Sequence, residues 1–282
     1  MQDPPLGEIR KLIDALPPWG DADALSGTAG EGGSLGLLDG LAAWAGAGQG
    51  RSLARIDRPR AALFLGNWGG AGSGAAQAAL DSIRSGRSRL NGLCRLHDAE
   101  LRVYELAVEG ADGQESGGGG LSPTECATAM AYGMMAVEDG LDLLCLATAG
   151  PGREQAAAAL STALFDRQGA GDPLDALARH GGHALAALAG AVVAARMARV
   201  PVILDGFAAL AAAAVLFRLN GDALDHCTLA QRLDGPGPRR LQDALGKEAV
   251  LDFAIETEDG SAALLVLGLL RSALVRPEPA SG

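Results

Sequence analysis

The residues from Gly181 to Ala214, GGHALAALAGAVVAARMARVPVILDGFAALAAAA, constrain the fold more than any other stretch of this chain. Ala, Leu and Val recur at helical spacing up to Arg196. The run Val200-Pro201-Val202-Ile203-Leu204 that follows is β-branched and apolar on both faces, as a strand covered on both sides requires. The pattern predicts an amphipathic helix, a short buried strand and a second helix of small residues, which together make one unit of a doubly wound α/β domain. Asp205-Gly206 stands at the carboxyl end of the strand, and open α/β sheets bind their ligands outside those ends. The same pair also reads as a plain turn in which Asp205 is the N-cap of the next helix, and the sequence leaves both readings open.

The alternation repeats from residue 60 onwards. Candidate strands are Ala61 to Leu65, Leu101 to Leu106, Leu141 to Leu146, Val200 to Leu204, His226 to Ala230 and Val250 to Ile255, most of them followed by a turn and a helix-period segment. Six such units predict a Rossmann-like, doubly wound, largely parallel six-stranded α/β sheet with helices on both faces and right-handed crossovers. Residues 59–276 are expected to form this domain. Residues 1–58 hold two helices, Gly7 to Leu16 and one beginning near a possible N-cap at Ser34, expected as a small accessory helical cap or dimer element. The connector at 21–33 is rich in Gly, Ala and Asp, the segment Glu109 to Gly120 reads as a flexible loop, and residues 277–282 read as a disordered tail. Ser122 or Thr124 is placed to cap the helix that follows the loop, with Glu125 in its first turn.

Composition excludes some partners. A net charge of -11 with scattered Lys and Arg argues against nucleic acid and against anionic membrane surfaces, since both need clustered cations. No apolar run reaches the ~18 residues of a membrane span without charges or turn residues intervening. Cys94, Cys126, Cys145 and Cys227 lie far apart without a C-x-x-C pair, which fits buried thiols in a cytoplasmic protein. His180 and His183 have i, i+3 spacing, but no nearby Cys or carboxylate completes a metal site, so no metal is expected. His97 and His226 show no partner in the sequence.

Three segments, GGSLGLLDGLAAWAGAGQG at 32–50, GGHALAALAG to RVPVILDGFAALAAA at 181–213 and LDFAIETEDGSAA at 251–263, carry a resemblance to a known family. The chain resembles the nicotinate-nucleotide:dimethylbenzimidazole phosphoribosyltransferases of cobalamin lower-ligand assembly, from about residue 7 to 275. The resemblance implies a homodimer that moves phosphoribose from nicotinate mononucleotide to a benzimidazole nitrogen without a cofactor. It also implies an alternative, a non-catalytic paralogue acting as a ligand-binding protein or as the partner of a catalytic subunit in a heterodimer.

Site residues follow from the same likeness. The family's base is a glutamate in the motif RLGEGTGA, and the aligned residues 256–263 place Asp259 there with Glu258 beside it. An acidic turn at a strand end is the other reading of that pair. The family's nucleotide-holding motif GEMGIGNTT aligns with residues 147–155, which puts Thr148, Gly150, Gly152 and Arg153 near the phosphate or, alternatively, in a simple tight turn. Asn67-Trp68-Gly69 stands where the family has Asp-His-Gly, and Trp68 either stacks on a flat base or packs. The family's H-x-S-x-E-x-GH run is replaced by Gln231 to Pro238, so Gln231 takes the first position at the rim beside Asp205 and Gly206. No counterpart of the family's phosphate-facing lysine is assigned at 110–120 or 167–172.

Overall fold

The computed structural model describes residues 5–20, 35–68, 73–106, 120–165 and 171–275, and of residues 73–76 the backbone alone. The connector at 21–33, Ser34, Gly69, the loop as far as residue 119, residues 167–170 and the tail at 277–282 lie outside the described residues.

In chain order the elements are α1 (Pro5–Asp14), α2 (Leu37–Gln49), β1 (Pro59–Leu65), α3 (Ser73–Arg84), α4 (Arg89–Leu96), β2 (Glu100–Glu105), α5 (Pro123–Met134), β3 (Leu143–Ala149), α6 (Arg153–Phe165), α7 (Pro173–His180), α8 (Gly182–Met197), β4 (Val202–Leu204), α9 (Phe207–Leu219), β5 (Cys227–Gln231), α10 (Pro236–Ala244), β6 (Ala249–Leu251) and α11 (Ser261–Ala273). The strands form one sheet in the order β2-β1-β3-β4-β5-β6, with every neighbouring pair parallel. This is the doubly wound sheet that the alternation predicts, with six strands at the expected places, although β6 ends at Leu251, four residues short of the expected Ile255. One boundary differs in a way that matters. β3 runs three residues beyond the expected Leu146, because Ala147, Thr148 and Ala149 continue the ladder opposite Leu63, Phe64 and Leu65.

Side chains alternate between two helical layers, as the period of a strand requires. Ala62, Phe64, Leu144, Leu146 and Leu204 face the core shared with α1 and with α5 to α10. Ala61, Leu63, Leu65, Cys145, Ala147 and Ile203 face the core shared with α2, α3, α4 and α11. The two N-terminal helices therefore contribute to opposite layers, α1 through Ile9 and Ile13 and α2 through Leu41 and Ala45. All four cysteines are free and buried, and burial raises the thiol of Cys126 to about 12.

The helix over Gly182–Met197 is not amphipathic as its spacing suggests. Every residue from Ala184 to Val193 is buried, because α5, α7 and α9 cover the sides that the sheet leaves open. Small residues make this possible. A Cβ at Gly133 on α5 would fall 1.7 Å from the Ala187 carbonyl oxygen, and one at Gly190 would fall 1.9 Å from that of Met130, so the two backbones touch. At the start of α5, Ser122 and Glu125 form a reciprocal capping box, Glu125 N–H donating to Ser122 Oγ (3.2 Å) and Ser122 N–H to Glu125 Oε2 (2.8 Å).

Arg196, which reads as the polar end of α8, is also buried. Its Nε donates to the Pro17 carbonyl (2.7 Å), and its guanidinium lies 5.7 Å from the centre of the Trp19 ring. His226 sits beside it, with Nε2 3.0 Å from the Val192 carbonyl oxygen. Burial, then the nearby Arg196 charge, hold its imidazole down at about 3, so it stays neutral. These groups gather at the amino ends of the strands and close the base of the sheet. The carboxyl ends face the other way.

Candidate active site

A parallel sheet brings all its carboxyl ends to one edge. The order reverses between β1 and β3, which makes the turns after those two strands the topological switch point. There the backbone closes on itself. Gly66 N–H donates to the Ala149 carbonyl (3.1 Å) and Trp68 N–H to the Pro151 carbonyl (3.1 Å). Gly150 takes a φ of 131°, and a Cβ on it would fall 1.8 Å from the Gly66 carbonyl oxygen, so glycine is the residue that fits. Trp68 is buried, and its indole N–H donates to the Gly181 carbonyl (2.6 Å). Asn67 and Thr148 are buried with it, and Thr148 Oγ1 has no hydrogen-bond partner among the described residues. Thr148 lies within β3 and not in the turn after it.

The other half of the rim is open. A cavity of about 470 Å3 lies over the ends of β4 and β5, bounded by Asp205, Gly206 and Phe207, by Gln231 to Asp234, by Ile255 to Glu258, by Glu154, Gln155 and Ala158 of α6, and by Pro238 of α10. Asn67, Trp68, Thr148, Gly150, Gly152 and Arg153 are not among its lining residues; Asp205, Gly206, Gln231 and Glu258 are. Gln231 fixes the wall, with its Oε1 accepting from Phe253 N–H (3.3 Å) and its Nε2 donating to the Arg232 carbonyl (3.1 Å).

Two turns of this half exchange their carboxylates. Glu258, in the turn before α11, reaches across to the start of α9, where its Oε1 accepts from Phe207 N–H (2.9 Å). Asp205, in the turn before α9, reaches the start of α11, where its Oδ2 accepts from Ala262 N–H (3.0 Å) and Ala263 N–H (3.3 Å). Each helix N-terminus is thus capped by the carboxylate of the other's turn, which satisfies the orphan N–H groups and places negative charge at the positive end of the helix dipole. The reading of Asp205 as cap of its own following helix is replaced by this crossed arrangement. Gly206 makes room for it, since at its φ of 94° a Cβ would come within 2.5 Å of the Glu258 side chain.

Asp205 is 1% exposed. Burial, then the neighbouring charges of Asp259 and Glu258, outweigh its two backbone hydrogen bonds and raise its carboxyl to about 7. Asp259 turns back on its own chain, Oδ1 accepting from Ser261 N–H (3.0 Å), and does not line the cavity. Of the adjacent pair, Glu258 is the carboxylate that faces the open space. Its Oε2 stands 3.6 Å from Arg153 Nε, an ion pair too long for a hydrogen bond, so both buried atoms have no hydrogen-bond partner among the described residues. Phe207, Leu233 and Ile255 supply the apolar lining that the sequence reading did not single out. The available signal was adjacency, because each lies within three residues of a rim position that reading names.

Among the described residues no three His, Cys, Asp or Glu side chains cluster as a metal site would need, and no helix is long and apolar enough to cross a membrane. His180 ends α7, while His183 is in the first turn of α8.

An all-parallel α/β sheet with a cavity at its carboxyl edge is an architecture that binds small ligands there, and the family model described as "Phosphoribosyltransferase" matches residues 22–171 and 162–276. The nicotinate-nucleotide–dimethylbenzimidazole phosphoribosyltransferase of Brucella anthropi is 34% identical over 280 residues, covering 86% of this chain and 83% of that protein, and that of Brucella melitensis matches to the same extent. The fold is shared with CobT from Thermus thermophilus at a TM-score of 0.75 and 22% identity, over 94% of this chain and 95% of that one. This chain belongs to the nicotinate-nucleotide–dimethylbenzimidazole phosphoribosyltransferase family.

Proposed function

We propose that the chain transfers the phosphoribosyl group of nicotinate mononucleotide to the nitrogen of a benzimidazole-type base, with Glu258 as the general base. The carrying observation is the state of the Glu258 carboxylate. One oxygen is fixed by Phe207 N–H and the other is buried, without a hydrogen-bond partner among the described residues, in the wall of the cavity. A carboxylate held by one oxygen, with the other ion-paired to Arg153 but accepting no hydrogen bond among the described residues, keeps a lone pair for a proton. Glu258 Oε2 removes the N–H proton of the incoming base as that nitrogen bonds to the anomeric carbon. The bond from that carbon to the nicotinate nitrogen breaks on the opposite side, its electron pair neutralises the pyridinium, and the configuration inverts. Phe207, Leu233 and Ile255 offer the apolar surface a flat base needs. Gly150, Gly152 and Arg153, at the start of α6, are the proposed neighbours of the phosphate. The exposed Leu35 and Leu37 at the start of α2 support residues 1–58 as the element that joins two copies into a homodimer.

A second reading, a non-catalytic paralogue that binds a ligand or a partner subunit, rests on charge. Glu154, Asp205, Asp234, Glu256 and Glu258 line the cavity, and the one cation among its described lining residues, Arg232, is engaged with Asp252 at 2.8 Å. An anionic nucleotide meets an acidic wall there.

One assay decides between them. Nicotinate release from nicotinate mononucleotide with dimethylbenzimidazole is followed chromatographically for wild type, Glu258→Gln and Asp259→Asn. The enzyme reading expects wild-type turnover, a loss in kcat of about 100-fold or more in Glu258→Gln and a near-normal rate in Asp259→Asn. No release by wild type, at enzyme concentrations comparable with the substrate, leaves the second reading standing.

A further inference from the structure

At the opposite edge of the sheet, where β1 and β3 begin, a second cavity of about 590 Å3 opens between the ends of α2 and α8, the loop leading into β1 and the loop between α5 and β3. It shares no lining residue with the rim cavity. Arg51, Arg55, Arg58 and Arg199 line it, with Asp57 and Asp142 as its acidic members. In a chain whose net charge is -11 this is a local excess of positive charge.

Four guanidinium groups against two carboxylates leave a net excess of two positive charges. Arg55 is ion-paired with Asp57. The Asp142 carboxylate is occupied by the backbone, Oδ2 accepting from Asp57 N–H (2.6 Å) and Arg58 N–H (2.8 Å). Arg58 donates to the Asp139 carbonyl (3.2 Å) and Arg199 to the Pro18 carbonyl (3.3 Å), neutral acceptors that leave both guanidinium charges in place. The Arg51 guanidinium has no hydrogen bond or ion pair among the described residues. Helix C-termini favour cations, which accounts for Arg51 and Arg199 at the ends of α2 and α8 but not for Arg55 and Arg58.

The loop that carries those two is built rigidly. Gln49 accepts from Arg55 N–H (2.8 Å) and donates to the Arg55 carbonyl (2.9 Å), clamping the loop to the end of α2. Gly140 adopts a φ of 82°, and a Cβ there would fall 2.4 Å from Arg58 Nη1, so glycine lets the guanidinium lie over the cavity floor. Arg199 itself is held at a φ of 56°, a backbone conformation that L side chains rarely adopt.

We propose that this groove binds a small anion carrying two or more phosphoryl groups, gripped between Arg51, Arg58 and Arg199. Planar guanidinium groups match phosphate oxygens two at a time, so Arg51, Arg58 and Arg199 around one concavity offer donors for more oxygens than a single monophosphate presents.

The test is calorimetric titration of the full chain with inorganic pyrophosphate, using wild type, Arg51→Ala, the double variant Arg51→Ala/Arg58→Ala, and Arg153→Ala as a control at the rim. Saturable binding to wild type is expected, weakened about tenfold by Arg51→Ala and about 100-fold by the pair, and unchanged by Arg153→Ala. The Arg51 side chain has no hydrogen bond or ion pair to lose among the described residues, so the single variant remains informative if the double variant is unstable. Absence of binding at millimolar pyrophosphate overturns the proposal. So does binding that survives both groove variants or is lost with Arg153→Ala, which assigns the pyrophosphate to the rim.

Discussion

Over β1 and β3 the rim is held by backbone lying against backbone, with Gly150 under Gly66 and Trp68 wedged beneath Gly181. Over β4 and β5 it is held by two carboxylates, Asp205 and Glu258, that cross between helix starts. Among the described residues the first half closes on itself through contacts that do not titrate. The second encloses a cavity and depends on groups whose charge changes with pH. The general expectation places a ligand at the switch point, while the cavity over β4 and β5 lies at the same edge of the sheet two strands further along. A seam closed by glycine contacts brings backbone against backbone, while a seam closed by carboxylates leaves the Glu258 side chain in a cavity wall.

The contrast is broken most severely at Gly150. Alanine there must place its Cβ against the Gly66 carbonyl at a φ suited to glycine, so Gly150→Ala is expected to cost about 4 kcal/mol in a urea unfolding measurement. A cost below about 1 kcal/mol shows that the seam yields and that the first half is not rigid. The next effect concerns Asp205. Its carboxyl is raised from 3.8 to about 7 in the folded chain, so between those values the native state holds a proton that the unfolded state has released. Stability therefore falls as pH rises through that window, by on the order of 4 kcal/mol. Asp205→Asn removes the titration. The stability of wild type relative to the variant should decline from about pH 4 to about pH 7, and a flat difference removes Asp205 from the account. The smallest effect is Trp68→Phe, which leaves the Gly181 carbonyl without its indole donor and is expected to cost about 1 kcal/mol. Turnover should be unchanged, since Trp68 does not line the cavity, and a large loss in kcat instead moves the site towards the switch point.

The strands were legible because β-branched and apolar runs such as Val202-Ile203-Leu204 leave few other options. The end of β3 was less so, since Ala147, Thr148 and Ala149 are too small to mark a strand, and Thr148 consequently reads as part of a turn. Helix α8 shows the limit of periodicity, for its spacing suggests one buried face when three helices and a sheet bury it all round. The crossed caps were not legible at all. Asp205 and Glu258 lie in turns far apart in the chain, and each has a plausible local role that sequence cannot distinguish from the distant one. The pair Glu258-Asp259 was found, but which of the two faces the cavity depends on backbone direction. Asp259 has a local N–H to cap and Glu258 has the longer arm that reaches Phe207.

The crossed caps also order the protein's biosynthesis. Asp205 leaves the ribosome well before Ser261, and until α11 is made its carboxyl has neither of the N–H groups that satisfy it. Over the same interval the start of α9 lacks the Glu258 oxygen that it receives in the finished chain. A nascent chain that has emerged only as far as β6 holds every strand of the sheet yet has an open rim and no candidate base. The final described helix supplies the two N–H groups that receive the Asp205 carboxylate, so translation halted before it leaves the rim without its crossed caps.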